Sequence, residues 1–201
     1  MDDSSCFQTL IELLPAISAA GFTELEIYEP HLRRGNDLSE LKEGIVGNHL
    51  DPVILSSYIN LNPAKTTAAE VAQEIELIAN DISSYGFKRL RLFPGMQISP
   101  LDTDTIATFI SRLKRVAERL PNTEILLETH DGSIADSLKT LVRIVRELEN
   151  PNIGLLFQPT VFTRASSLDQ FNLQRSLIRH VHLQNRNPDM SFATLRDGVV
   201  P

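Results

Sequence analysis

The run Ile125, Leu126, Leu127 within TEILLETHDG (residues 123–132) constrains the fold more than any other stretch of the chain. Side chains alternate along a strand, so an unbroken apolar run between turn formers is a strand covered on both faces. Charge returns only at its C-terminal end, with Glu128, Thr129, His130, Asp131 and Gly132. A strand covered twice belongs to a parallel sheet with helices packed on it. If that sheet is a barrel, its C-terminal rim carries the chemistry. A carboxylate and an imidazole at that rim are metal ligands, acid–base groups or a hydrogen-bonded polar edge.

The rest of the chain repeats the unit. Phe7, Leu10, Ile11 and Leu14 give a helical stripe, ended by Gly21, with Pro15 predicting a kink or a late start. Residues 24–28, ELEIY, alternate as a strand with Leu25 and Ile27 on one face and Glu24, Glu26 and Tyr28 on the other. After a polar loop with Gly35, Asp37 caps a short helix to about Val46. Residues 53–61 read as a strand. Thr66 or Thr67 then caps a long helix to Tyr85, with Val71, Ile75, Ile78 and Ile82 facing inward. KRLRLF (88–93) is the next strand, and a helix capped by Asp102 or Thr103 buries Ile106, Phe109, Ile110, Leu113, Ala117 and Leu120. Beyond the opening strand, a helix from Ser133 buries Leu138, Leu141, Val142, Val145 and Leu148. NIGLLF (152–157) is a strand, 169–177 a weak helix, and HVHLQN (180–185) a last strand.

Strand and helix thus alternate at least five times, at the spacing that parallel crossovers demand. No GxGxxG or Walker A run supports a nucleotide-binding open sheet. Polar residues gather instead at the ends of different strands, Glu26, Glu128, Gln158 and His182, which suits a barrel mouth. With 201 residues and 42% hydrophobic content, residues 1–201 form one domain. The net charge of −7 and the lack of a basic block exclude a nucleic-acid backbone as the expected partner. No apolar run is long enough for a membrane span, and MDDSS at the start is no signal peptide, so the expected location is cytoplasmic. Cys6, alone, permits no internal disulfide and is expected to be a small buried residue.

These residues resemble the xylose isomerase-like TIM barrels, which include sugar phosphate isomerases and epimerases and inosose dehydratase-type enzymes. GFTELEIYE looks like that family's second strand, ILLETHDG its fifth, PNIGLLFQP its sixth, IRHVHLQN its seventh, and RDGVVP the turn before its last helix and strand. The resemblance runs from about residue 7 to 201. It implies an α/β fold, a TIM (β/α)8-type barrel, with the first and last strands missing. The open edges that this leaves predict self-association.

The resemblance also implies a divalent ion (Mn, Mg, Co or Zn) at the mouth, held by Glu, Asp, His and Glu from strands five to eight. Glu128 matches the first ligand and His182 the third. Gln158 stands where the family has Asp, and the fourth position has no match. An amide oxygen brings no charge, so the set Glu128, Gln158 and His182 is expected to bind metal weakly or not at all. The family's chemistry is a proton or hydride shift next to a sugar carbonyl. Glu128 would then be the catalytic acid–base group, and Glu26 and His130 would face a small sugar or polyol. Glu26 has an alternative, an ion pair with Arg89 or Arg91; His130, a turn contact; His182, a hydrogen-bonded core histidine, with His180 one layer deeper on the same face. Five histidines are few for the zinc-rich DNA-repair branch of the family. Two functions follow: a metal-assisted isomerase, epimerase or dehydratase, or a catalytically inactive barrel that binds a ligand or partner or is a gene fragment.

Overall fold

The apolar stripes become helices laid on the outside of one rolled sheet. The computed structural model describes residues 3–33, 38–94, 103–130, 138–159 and 164–199. In chain order it places α1 (Asp3–Ala19), β1 (Glu24–Tyr28), α2 (Pro30–Arg33), α3 (Leu38–Gly47), β2 (Asp51–Ser57), α4 (Ala68–Tyr85), β3 (Arg89–Leu92) and α5 (Thr103–Arg119). Then follow β4 (Glu124–Glu128), α6 (Leu138–Leu148), β5 (Ile153–Phe157), α7 (Arg164–Gln174), β6 (Ile178–Val181), β7 (Asn185–Arg186) and β8 (Phe192–Ala193). Strands β1 to β6 pair in sequential order, all parallel. The expectations for Gly35, Asp37, Asp102, Ser133 and the Cys6 side chain lie outside what is described.

Alternation sorts the strand side chains. Leu25, Ile27, Leu55, Leu90, Leu92, Ile125, Leu127, Ile153 and Leu155 face outward and share one core with the helices, including Val71, Ile75, Ile78 and Ile82 of α4. Ile54, Leu126 and Leu156 form a separate apolar cluster on the inner face. Below it Arg89 pairs with Glu124 at 2.9 Å; above it lie Glu26, Ser56, Arg91, Glu128 and His182.

Curvature follows from one distance. Six flat strands would set the outer two about 24 Å apart. Yet Glu26 on β1 reaches His182, just past β6, at 2.7 Å. The sheet is therefore rolled, with the inner side chains converging. β1 and β6 do not pair with each other, so the arc is open among the described residues.

Several boundaries differ from the spacing-based expectation, each for a local reason. α1 begins at Asp3 and continues through Pro15, anchored by fully buried Leu14, whose Cδ1 lies 3.0 Å from where a side chain on Gly44 would begin. β2 stops at Ser57 rather than Leu61, because Asn60 and Asn62 accept from the backbone N–H groups of Asn62 and Ala64 and turn the chain. β6 spans Ile178–Val181 rather than 180–185. The N–H of His182 still donates to Phe157 at 2.9 Å, but β5 is followed by Pro159 and the ladder ends. α7 spans Arg164–Gln174 rather than 169–177; Gln174 is fully buried and accepts from Thr129 Oγ1 at 3.0 Å. The short β7–β8 pairing has no strong alternation and was not expected. At α4 the cap is Thr67, in a reciprocal capping box with Glu70, and Gly86 closes the helix at φ 75°.

Candidate functional site

The strand ends bring together residues that are 156 positions apart. Glu26 is the middle residue of β1 and turns inward because Leu25 and Ile27 claim the outer face. His180 on β6 and His182 beyond it share one parity, and their rings stand 5.5 Å apart at 84°. His182 Nε2 lies 2.7 Å from Glu26 Oε2, and His182 Nδ1 lies 3.6 Å from Glu128 Oε1. The imidazole thus bridges two carboxylates from opposite sides of the arc. His180 Nε2 lies 3.8 Å from the same Glu26 oxygen.

Glu128 ends β4 with its side chain 2% exposed, and its other oxygen is ion-paired with Arg91, 7% exposed. Arg91 also lies over the Tyr58 ring, 4.7 Å from its centre, and its Nη2 is 3.4 Å from the phenol oxygen. Ser56 Oγ donates to Glu26 Oε1. The expected alternative for Glu26, a direct pair with Arg89 or Arg91, is not what forms: Arg89 is taken by Glu124 and Arg91 by Glu128. Tyr28, Tyr58, Phe93 and His130 make a string of ring contacts across four strand ends, at 5.4, 5.5 and 4.9 Å. A cavity of about 330 Å³ opens on Glu26, Tyr28, Ser56, Tyr58, Arg91 and His182.

Charge follows geometry. Burial on its own would lower the basicity of His182, but hydrogen bonds and charges from Glu128 and Glu26 outweigh it and push its pKa up to about 9. Burial would raise Glu26, yet hydrogen bonds from His182 and Ser56, with the charges of His182 and Arg91, hold it below its ordinary value. For His180 burial dominates, and it is shifted down. At neutral pH the site therefore holds an imidazolium, a neutral imidazole, the Glu26 carboxylate and the Arg91–Glu128 pair.

Of the residues singled out from sequence, Glu26, Glu128 and His182 meet here. His130 stands at the rim against Phe93, and half-buried Gln158 ends the inner face of β5. Ser56 and Tyr58 were missed. Their signal is the period of two in VILSSYINL, which puts both on the inner face beside Ile54. As a metal set, Glu128, Gln158 and His182 fit a divalent ion poorly. The single carboxylate is balanced by Arg91, and the amide is neutral.

The family model for xylose isomerase-like TIM barrels matches residues 14–201. A 3-dehydroshikimate dehydratase of Bacillus anthracis is 25% identical over 143 residues, 68% of this chain and 50% of that protein, so the match spans half the length of this curated relative. Among solved structures, a probable 3-DHS dehydratase from Bacillus anthracis superposes with a TM-score of 0.77 at 18% identity, covering 94% of this chain and 79% of that one. A xylose isomerase-like TIM barrel protein from Mycobacterium smegmatis, in complex with magnesium, has a TM-score of 0.74 at 12% identity over 96% of this chain and 75% of its own. The 3-keto-D-glucoside 4-epimerase of E. coli has a TM-score of 0.65 at 18% identity, over 86% and 72%. At these identities the structural likenesses establish the fold alone. The family match and the rolled parallel sheet agree: the chain belongs to the xylose isomerase-like TIM barrel family, and its six strands form an open arc of that barrel.

Proposed function

We propose that this chain provides the acid–base site of an enzyme that moves a proton next to the carbonyl of a small polyhydroxylated compound, a sugar or cyclic polyol. The outcome is isomerisation, epimerisation or dehydration. The observation that carries this is the convergence of Glu26 and Glu128 on one imidazolium at the strand ends, at 2.7 and 3.6 Å. Relatives named as a dehydratase and an epimerase support the class.

In this account Glu128 removes the proton from the carbon beside the carbonyl. The C–H electron pair becomes the C=C bond of an enolate, and the negative charge moves to the carbonyl oxygen. Arg91 and the His182 imidazolium supply fixed positive charge where that oxygen develops its own. His182, held from the opposite side by Glu26, returns a proton at that carbon or at the adjacent one, and in a dehydration gives it to a neighbouring hydroxyl that leaves as water. The proton taken up by Glu128 then restores the imidazolium. His130 and Tyr58 offer ring surface for the apolar face of a sugar, with buried Phe93 packed between them. Glu128, Gln158 and His182 keep the family's metal position without the charge to hold an ion tightly, so no step is assigned to one there.

The experiment is exchange in D2O. The purified chain is incubated with 3-dehydroshikimate and a panel of ketoses and cyclic polyol ketones, and proton NMR follows loss of the signal beside the carbonyl. One substrate should exchange, and Glu128→Gln should slow it by about 10²–10⁴-fold. Since Gln leaves the buried Arg91 unpaired, Glu26→Gln provides a second variant whose slowing does not depend on that ion pair. No exchange with any member of the panel would leave the second function, binding without turnover. The neutralisation of Glu128 by Arg91 is the feature that favours that alternative.

A further inference from the structure

The geometry points to a transition-metal site formed by Glu26, His180 and His182, displaced from the ligand set that the family resemblance assigns. One ligand atom from each of these residues lies within 4.8 Å of the others. Glu26 Oε2 is 2.7 Å from His182 Nε2 and 3.8 Å from His180 Nε2. Around a tetrahedral Zn²⁺, ligand atoms at about 2.0–2.1 Å from the ion stand about 3.3 Å from one another. Toward that spacing the shorter contact opens and the longer closes, each by about half an ångström, and the two imidazole ligand atoms, within 4.8 Å of each other, draw together.

Three further features fit a metal centre. The two histidines sit at i and i+2 on one strand face, so the backbone presets both rings. Groups that can orient metal ligands stand behind them: Glu128 Oε1 is 3.6 Å from the other ring nitrogen of His182, a charge contact that shortens to a hydrogen bond with a small movement, and Ser56 holds the second oxygen of Glu26. This carboxylate–histidine arrangement makes Glu128 a positioning residue for the ion rather than a ligand. Finally, the side chains are only partly exposed, at 24%, 30% and 28%, and the cavity beside Glu26 and His182 leaves a fourth position for water or a substrate oxygen. Two imidazoles and one carboxylate select Zn²⁺ or Co²⁺ over Mg²⁺, whose preferred shell is oxygen and water. With the ion bound, Glu26 and His182 are its ligands rather than free groups of the proposed proton shift, so the loaded and metal-free chains are alternative states, and metal uptake is read without any turnover.

The test is Co²⁺ titration of the chelator-stripped chain, followed by the visible absorption of tetrahedral cobalt, with Zn²⁺ displacement and thermal shift as second readouts. The wild type should take up one equivalent and gain thermal stability on loading. His180→Asn and Glu26→Gln should each weaken binding at least tenfold and remove the thermal gain, while Gln158→Ala leaves both unchanged. Circular dichroism of the metal-free variants distinguishes loss of a ligand from loss of fold; an unfolded His180→Asn is replaced by His180→Gln. Binding that survives in His180→Asn but fails in Gln158→Ala would place the ion at the other set and overturn the inference. So would a wild type that binds neither metal.

Discussion

His182 shows how much one residue's neighbours decide. Its pKa rises from an ordinary 6.5 to about 9 in the folded chain, because two carboxylates converge on it. A base stabilised in its charged form by folding adds stability that is complete below pH 6.5 and disappears as pH climbs through 9. Glu26 works in the opposite sense: its lowered value adds stability above its ordinary 4.5 that is lost as pH falls through the folded value. His180, shifted down, costs stability as pH falls below its ordinary 6.5, so in the presence of chelator thermal unfolding should show a maximum near pH 6.5 and a decline toward pH 9. The His182→Gln variant should lack that alkaline decline. A wild-type midpoint that stays level from pH 6.5 to 9 would contradict the two-carboxylate account. The Arg91–Glu128 pair beside it is nearly sealed from water. Removing either partner leaves a buried charge, at a cost of about 3–5 kcal/mol.

Among the elements, β5 carries a constraint that its apolar sequence hides. Register between β5 and β6 slips at Leu155/Leu156, so Ile178 and His180 pair with adjacent residues and Arg179 is the extra one. Arg179 crosses Gly154 on its way toward Glu124, 3.7 Å away. A Cβ on Gly154 would meet Arg179 Cγ at 2.3 Å and the Leu177 carbonyl oxygen at 3.1 Å. Gly154→Ala should destabilise the chain by about 1–3 kcal/mol in a urea titration, through overpacking. It should also disturb the placement of His180. A neutral substitution would mean that the bulge re-forms elsewhere without cost. The strand itself was legible in NIGLLF; the bulge was not, since it depends on which strand arrives beside it.

The whole molecule is an arc whose outer strands, β1 and β6, have a hydrogen-bonded neighbour on one side only among the described residues. Open strand edges offer unpaired N–H and C=O groups to another chain. The 201-residue chain on its own should therefore form dimers or larger species. Sedimentation velocity over a hundredfold concentration range should show the shift, and a monomer throughout would contradict it. No helix among the described residues is long and apolar enough to cross a membrane.

The division of labour between sequence and structure follows from range. Periodicity, caps and glycine stops are local, so the strand–helix order, the two faces of ELEIY, the shared parity of His180 and His182 and the long helix that Gly86 ends were legible before any coordinates. So were Glu26, Glu128 and His182 as inward-facing residues at strand ends. Partner choice is not local. Nothing in the residues around Glu26 says that its carboxylate meets two histidines from the far end of the chain while Arg91 goes to Glu128. That outcome depends on how tightly six strands roll and where β6 slips against β5. TEILLETHDG announced a charged tip on a buried strand; only the rolled sheet made Glu128 the partner of an arginine and placed it behind His182.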